Sequence, residues 1–410
     1  MANILASAEP YGFGPSSKLR AVTRAVTRNG HAVDFVGQGL AADYAAGERD
    51  SFRGLTRVAA MTELADRPRG DHDAVLSVMD PHLAAWAQVV GLPCLYVDSL
   101  YWFWQWDAGL EPLVGQWRQR CAAGAPVAAL AWFDAQPMMA QQYLAHSGNT
   151  VTCAQRAPSV DGPRTQPHLG PMELVDAIVD TGYLAPRPPA TWLACLSGLV
   201  NPLTPLAAAT SWLDSTLQLI DEAAVRAGLG DTPVTLTGNA GVLGSVDLPP
   251  RFATRPRSHA DVLAAFNDAH VCLTPPGLTT MFEAVAYGVP LILLPEQHYG
   301  HLKIFGEFTG ADPDAFPNGL VGLRTQRELG PDVAAATLGL IADLAARAAA
   351  RDAVWDGMVD GVAAGLRSAG EDRAAFTAAQ RAAVKRFASG FDGAAQSAAV
   401  LDDLLAAKYS

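Results

Sequence analysis

The sequence predicts an α/β protein made of two doubly wound domains, and three observations support that prediction. Short apolar runs alternate with helical patterns, a proline-rich segment follows Tyr183, and the second half then begins again with a strand and a glycine turn. With 410 residues and 50% hydrophobic content, the chain is long for one core and sufficient for two. We therefore place one domain at 1–183, a second at 190–375 and a final segment at 376–410.

The first domain opens with a βαβ pattern. A strand at 4–8, a turn at 11–17 and a helix carrying Leu19, Val22 and Val26 on one face precede a second strand at 32–36. Further apolar runs continue the alternation that is typical of a doubly wound sheet. The sequence predicts these as strands at 75–78, 94–97, 127–133 and 149–153, with a helix over 81–90.

The loop after the first strand also allows a dinucleotide-binding interpretation. Gly12 and Gly14 begin a Gly-x-Gly-x-x-Gly fingerprint, and Asp34 follows at about the right interval for a ribose contact. However, the third glycine position is Ser17, and Asp34 falls inside its strand rather than at its end. The fit to a dinucleotide fold is therefore weak.

An aromatic run follows the strand at 94–97. It places five aromatic residues within positions 101–106, a density typical of a core or a domain interface. The run lies just past the carboxyl end of a strand, where open α/β sheets bind ligands, which also permits stacking against a planar acceptor.

The second domain begins at a strand over 192–196, followed by a turn containing Ser197, Gly198 and Asn201. A long helix over 203–227, a strand at 234–237 and a helix at 258–269 come next, and an alanine-rich helical region occupies the end of the chain.

The most informative stretch covers 271–302. An apolar strand ends at Pro275-Pro276-Gly277, a short helix ends at Gly288, and an apolar strand follows at 290–294. Backbone N–H groups at such a helix start, together with the hydroxyls of Thr279 and Thr280, can hold a phosphate. The structural alternative is a capping box between Thr280 and Glu283, which needs no ligand.

Composition excludes several other functions. A net charge of −12 argues against a nucleic-acid partner, and the sequence has neither a signal-peptide pattern nor an apolar stretch that could span a membrane, so we expect a cytoplasmic protein. Metal binding is not expected, because His298 and His301 stand without a nearby Asp or Cys partner set. No cofactor is expected, and five isolated cysteines indicate buried thiols: Cys94, Cys121, Cys153, Cys195 and Cys272.

The stretch 274–302 resembles the donor-binding motif of nucleotide-sugar-dependent glycosyltransferases of the GT-B type, which have two facing Rossmann-like domains. In that family a glycine-threonine turn holds the diphosphate, a glutamate holds the ribose, and an acidic or amide pair after the next strand meets the sugar. The matching positions are Gly277, Thr279, Thr280, Glu283, Glu296 and Gln297. The family often has a histidine just before the glycine, where this chain has Pro275-Pro276.

The resemblance implies more about the layout of the chain. The turn at 197–201 would contact the diphosphate, the segment 255–257 the nucleobase, and the final segment would return to the N-terminal domain. Both arginines of that segment could equally be solvated surface residues, and His298 and His301 would be sugar contacts or surface residues. The implied donor-binding residues are Gly14, Ser197, Gly198, Asn201, Arg255, Arg257, Pro276, Gly277, Leu278, Thr279, Thr280, Glu283, Glu296, Gln297 and His298.

The resemblance also implies inverting transfer without a metal, in which a base of the N-terminal domain deprotonates the acceptor. Many relatives have a histidine base in the first loop, and this chain has none there. Glu9 is our first candidate for the base and Asp98 the second. Lys18 is either solvated or a cation that meets an anionic group of a substrate.

Two segments, 11–19 and 97–104, are similar to the cytosylglucuronate synthases of nucleoside-antibiotic pathways, which join cytosine to glucuronic acid from its UDP derivative. The implied acceptor contacts are Tyr11, Phe13, Tyr101, Trp102, Trp104 and Trp106, and Lys18 would meet the sugar carboxylate. Two alternatives stay open: an NAD-dependent oxidoreductase and a non-catalytic protein that binds nucleotide sugars.

Overall fold

The computed structural model separates the chain into two compact units. One unit comprises Met1–Asp180 and Phe387–Ser410, and the other comprises Thr181–Arg386. The structure describes residues 1–104, 106, 109–148, 150–157, 169–196, 198, 200–201, 204–255, 258–311, 315–316 and 333–409.

The first unit contains a parallel sheet of seven strands in the order β3-β2-β1-β4-β5-β6-β7. Its central strands are apolar runs buried on both faces, as parallel pairing favours, whereas the two edge strands are partly exposed. The strands are β1 Asn3–Ala8, β2 Ala32–Gly37, β3 Gly54–Arg57, β4 Ala74–Val78, β5 Cys94–Asp98, β6 Thr150–Gln155 and β7 Met172–Val175.

Helices connect these strands in the crossovers that parallel pairing requires. They are α1 Phe13–Arg28, α2 Gly39–Gly47, α3 Pro81–Val90, α4 Glu111–Ala122, α5 Pro126–Asp134 and α6 Met138–Ala145. The strand predicted at 127–133 is wrong, because this segment is α5. Proline begins the helix, and Ala129, Leu130 and Phe133 are buried on one helical face. The described residues of the crossover from β5 to β6 therefore include three α-helices, α4, α5 and α6.

The second unit contains a parallel sheet of five strands in the order β10-β9-β8-β11-β12. Its strands are β8 Thr191–Cys195, β9 Val234–Thr237, β10 Phe252–Thr254, β11 Ala269–Thr274 and β12 Leu291–Leu293. Its helices are α7 Leu206–Arg226, α8 Ala240–Leu243, α9 His259–Phe266, α10 Leu278–Ala286, α11 Tyr299–Ala311, α12 Val333–Ala350, α13 Ala353–Glu371 and α14 Arg373–Lys385. Trp192, Trp212 and Trp355 are buried in the main core of this unit.

The chain leaves the second unit at Arg386 rather than at the predicted position 375. Helix α14 belongs to the second unit because Gln380 donates to Leu291 O at 2.7 Å and accepts from Leu291 N at 3.0 Å. The last helix, α15 Gly393–Tyr409, packs on the first unit. Its Leu401 lies in one core with Val22, and Asp402 contacts His31 Nε2 at 2.8 Å.

Strand order fixes where each unit can bind a ligand. In the first sheet the order reverses between β1 and β4, and in the second it reverses between β8 and β11. Loops leave in opposite directions at such a point and open a crevice at the carboxyl ends of the strands. Within the described part of the chain, none of the helices has both the length and the apolar character that crossing a membrane requires.

Candidate functional site

The turn between β11 and α10 lies at the reversal point of the second sheet. Gly277 is the N-cap residue of α10, with φ −100° and ψ 122°, and no side chain caps the helix. The predicted capping box between Thr280 and Glu283 is therefore wrong, because the helix begins three residues earlier than that box requires. The first-turn N–H groups have no partners within the helix, so the turn can receive an anion. Thr279 is buried beside it and Thr280 is half-buried.

Glu283 instead pairs with a histidine of α9. His259 Nε2 lies 2.7 Å from Glu283 Oε1, and both side chains are buried. Ser258 is the N-cap residue of α9, and its capping box with Asp261 sets the helix start that directs His259 toward α10. The pair holds one carboxylate oxygen of Glu283 in a fixed direction.

The loop after β12 is tied to the neighbouring strands. Gln297 Nε2 donates to Leu196 O at 2.7 Å, past the end of β8, and Trp212 Nε1 donates to Glu296 O at 3.0 Å. Thr274 at the end of β11 donates to Cys195 O at 2.8 Å. These bonds hold the carboxyl ends of β8, β11 and β12 together, so Glu296 and Gln297 lie at the same edge of the sheet as the Gly277 turn.

Two histidines lie on the same edge. The rings of His298 and His301 are 3.7 Å apart between centroids, and His301 is buried. Burial lowers the pKa of His298 to about 4, and burial together with His298 lowers the pKa of His301 well below its usual value. Both rings are therefore neutral at pH 7.

The remaining donor residues differ in their surroundings. Pro276, Leu278 and Gly198 are buried, whereas Arg255 is exposed directly after β10. Asn201 forms an isolated antiparallel bridge with Thr204. Ser197 and Arg257 lie outside the described residues.

At the reversal point of the first sheet, Glu9 and Asp80 follow β1 and β4. The Glu9 carboxylate accepts from the backbone N–H groups of Tyr11 and Gly12, yet burial and the charge of Asp80 raise the pKa of Glu9 to about 7. Asp80 is buried, accepts from Ser7 Oγ at 2.6 Å and caps α3 through His82 N at 3.1 Å. Burial raises the pKa of Asp80 as well. Each of the two carboxylates therefore opposes ionisation of the other.

The loop around Glu9 carries the other predicted contacts. Tyr11 is 47% exposed, and Phe13 and Gly14 begin α1 and are half-buried. Lys18 is 1% exposed, so the solvated alternative is wrong. Its ammonium group lies in the interior of the first unit, on the helix that follows the Glu9 loop.

Asp98 is engaged on both carboxylate oxygens. Oδ1 accepts from Leu100 N at 2.7 Å, and Oδ2 accepts from Trp104 Nε1 at 2.7 Å and contacts His146 Nε2 at 3.1 Å. Asp98 is fully buried. The residue therefore fixes the loop of the aromatic run, and Glu9 is the better placed of the two candidate bases.

The aromatic run is divided between core and surface. Tyr101 and Trp102 are buried, and Trp102 Nε1 donates to Gln155 O. Trp104 and Trp106 are half-buried and stack with centroids 6.1 Å apart and an interplanar angle of 28°. Among the aromatic side chains of the run that the structure describes, Trp104 and Trp106 are the ones with ring faces that a planar molecule could cover.

Asp34, the candidate ribose contact of the dinucleotide-binding interpretation, has protein partners on both carboxylate oxygens. Its oxygens accept from Arg53 Nε at 3.1 Å and Arg53 Nη2 at 2.5 Å, and Oδ2 contacts His72 Nε2 at 3.1 Å. Arg53 lowers the pKa of Asp34. This arrangement opposes a role for Asp34 in binding a ribose.

The cysteines are free thiols, buried except for the half-buried Cys121. Burial raises the pKa of Cys153 to about 12. The described residues contain no group of three or more His, Cys, Asp or Glu side chains that could hold a metal ion.

Sequence reasoning missed Asp80, His146 and His259. Asp80 could have been found as the N-cap residue before Pro81. His146 and His259 carry no local signal, because their partners Asp98 and Glu283 are 48 and 24 residues away in the chain.

No protein-family model matches the chain, and no curated protein matches it in sequence. Among solved structures, the chain is similar to the spinosyn rhamnosyltransferase SpnG, with a TM-score of 0.52, 14% identity and coverage of 98% of this chain and 99% of that one. The spinosyn forosaminyltransferase SpnP has a TM-score of 0.49, 15% identity and coverage of 99% of both chains. The two parallel α/β units and the likeness to SpnG establish the GT-B fold for this protein.

Proposed function

We propose that this protein is a glycosyltransferase that moves a sugar from a nucleoside diphosphate sugar to a small planar acceptor. The observation that carries the proposal is the carboxyl edge of the second sheet. Three features lie there, beside the point where the strand order reverses: the start of α10, which no side chain caps, the Glu283 carboxylate, which contacts His259, and the pair Glu296 and Gln297. The GT-B fold, which SpnG shares, supports the same class of reaction.

In this proposal the diphosphate lies against the turn at Gly277 and Thr279, where the helix dipole and the first-turn N–H groups favour an anion. Glu283 accepts from the ribose hydroxyls. Glu296 and Gln297 contact the sugar, and Arg255 lies toward the nucleobase. We propose UDP as the nucleotide.

Transfer of the sugar then requires a base for the acceptor and a leaving group on the donor. The Glu9 carboxylate takes a proton from the acceptor as the acceptor nitrogen or oxygen attacks the anomeric carbon with inversion. The bond from that carbon to the diphosphate oxygen breaks, and the first turn of α10 stabilises the departing charge without a metal. A pKa of about 7 suits Glu9 to this role, because the group is partly ionised at neutral pH and retains basicity.

The narrower proposal is transfer from UDP-glucuronic acid to cytosine. It rests on the similarity of segments 11–19 and 97–104 to cytosylglucuronate synthases, and on the stacked Trp104 and Trp106 rings, whose half-buried faces suit a flat base. Lys18 is the cation that this proposal assigns to the sugar carboxylate.

A thermal-shift panel of UDP, dTDP, UDP-sugars, ADP and NAD tests the class of ligand. A ligand at 100 times its dissociation constant stabilises a fold by about 2.7 kcal/mol, so we expect a clear rise in Tm with UDP or its sugars. Stabilisation by NAD alone would overturn the proposal. Detection of a cytosine glucuronide by mass spectrometry, after incubation with UDP-glucuronic acid, separates an enzyme from a protein that only binds nucleotide sugars.

A further inference from the structure

We infer that His301 donates a hydrogen bond from Nε2 to the diphosphate held at the start of α10. This inference rests on the proposed function, and it assigns a donor-binding residue from α11, outside the turn itself. The amino-acid sequence alone does not single out His301 for this role, because the residue follows Gln297 by four positions and belongs to no motif of its own.

The hydrogen bonding of the ring determines which nitrogen carries the proton. Gln297 N donates to His301 Nδ1 at 3.4 Å, so Nδ1 must be an acceptor. The ring is neutral at pH 7, because burial and the neighbouring His298 lower its pKa. A neutral imidazole whose Nδ1 accepts carries its proton on Nε2. Nε2 is therefore a donor.

The position of Nε2 points to the ligand. It lies 3.6 Å from the point where a Cβ on Gly277 would stand, next to the N-cap of α10. His301 is 4% exposed, and across the described residues no acceptor is found for Nε2. Nε2 is not among the polar atoms of the described residues that are sealed from solvent, so a ligand can reach it, and a phosphate oxygen at the helix start would accept its hydrogen bond.

The neighbouring ring holds this donor in place. The His298 ring packs against that of His301 with a centroid separation of 3.7 Å and an interplanar angle of 36°, and both residues follow Gln297, which is anchored to Leu196 O. The direction of Nε2 is thus fixed before any ligand binds. Binding therefore loses less side-chain conformational entropy.

Calorimetric titration with UDP, inorganic pyrophosphate and uridine tests the inference. His301→Phe keeps the ring and removes the donor, so we expect about a tenfold loss of affinity for UDP and for pyrophosphate. His301→Gln restores an N–H donor and should recover part of the loss, and uridine binding should not change. His270→Gln, at the opposite end of β11, is the matched control and should bind UDP as the wild type does.

The outcomes separate this inference from the proposed function. If the wild type binds UDP and His301→Phe binds it equally well, the role of His301 is overturned and the glycosyltransferase proposal stands. If the wild type binds neither UDP nor pyrophosphate, both fail. Should His301→Phe not fold, the ¹⁵N signal of His301 Nε2 in the wild type decides: it must shift on addition of pyrophosphate, and an unchanged signal overturns the inference.

Discussion

His259 Nε2 lies 2.7 Å from Glu283 Oε1, and this contact joins the first residue of α9 to the middle of α10. Both side chains are buried, and a buried carboxylate is tolerated only when its oxygens have partners. The bond therefore stabilises the second unit and also fixes the direction of the carboxylate that we propose as the ribose contact.

Glu283→Gln should weaken both properties. We expect a loss of about 1–3 kcal/mol in nucleotide affinity and a decrease in the free energy of unfolding of similar size, because a charged acceptor becomes a neutral one. Calorimetry with UDP and urea denaturation measure the two quantities. His259→Phe removes the same bond but leaves the carboxylate, so its effect should be mainly on stability. Unchanged UDP affinity in Glu283→Gln would contradict a ribose contact.

Gly277→Ala should leave the empty protein as stable as the wild type. Its φ of −100° suits any residue, and the nearest atom to an added Cβ is His301 Nε2 at 3.6 Å, an ordinary contact distance. The methyl group would occupy space that the proposed function assigns to the diphosphate, so UDP affinity should fall.

Gly288→Ala is the control with the opposite expected result. Gly288 has φ +68° at the end of α10, so alanine there should cost about 1–2 kcal/mol of stability and leave affinity unchanged.

Asp80→Asn should shift the pH dependence of transfer. The base must be ionised, so the wild-type rate should decrease as pH falls through the pKa of Glu9, about 7. Removing the neighbouring charge lowers that pKa, and the acid limb of kcat/KM should move to lower pH. Asp43→Asn removes an exposed carboxylate that pairs with Arg57 and should leave the profile in place. An unmoved limb in Asp80→Asn would mean that Asp80 does not act on the base.

Glu9 should also make stability depend on pH. Its pKa is higher in the folded protein than in an unfolded chain, where it is near 4.3, so folding loses free energy as pH rises from about 4 through 7. Glu9→Gln should therefore equal the wild type at pH 4 and exceed its free energy of unfolding by about 1–3 kcal/mol at pH 8. Urea denaturation at both pH values provides the test. Equal stabilities at pH 8 would show that the Glu9 carboxyl is well solvated.

Trp106→Ala should raise the KM for a planar acceptor while leaving UDP affinity nearly unchanged, because the two ligands are assigned to different units. Trp132→Ala is a matched control. Trp132 is also half-buried and stacks on a tryptophan, Trp117, at 6.1 Å, but it lies on α5, outside the 101–106 run. Equal effects of both substitutions on KM would assign the 101–106 aromatics to packing alone.

The sequence predicted most strands of both sheets within one or two residues, because parallel strands buried on both faces require uninterrupted apolar runs. Helix α3 was predicted with its observed bounds, since Pro81 and Gly91 mark its ends. Helix α5 was mistaken for a strand. Its apolar run is as short as a strand, and only packing against α3, where His82 and Phe133 rings lie 5.6 Å apart, distinguishes the two.

The local stretch 274–297 by itself predicted the glycine turn and the short helix that ends at Gly288, because glycine and proline act on the backbone within a few positions. Only the tertiary structure decided that Gly277 is the N-cap residue and which partners the side chains of this stretch have. Glu283 bonds His259 instead of capping its own helix, and burial brings Glu9 and Asp80 together from 71 positions apart and gives Glu9 a pKa near neutrality. Such pairings depend on strand order and on desolvation, which are properties of the assembled sheet rather than of any short segment.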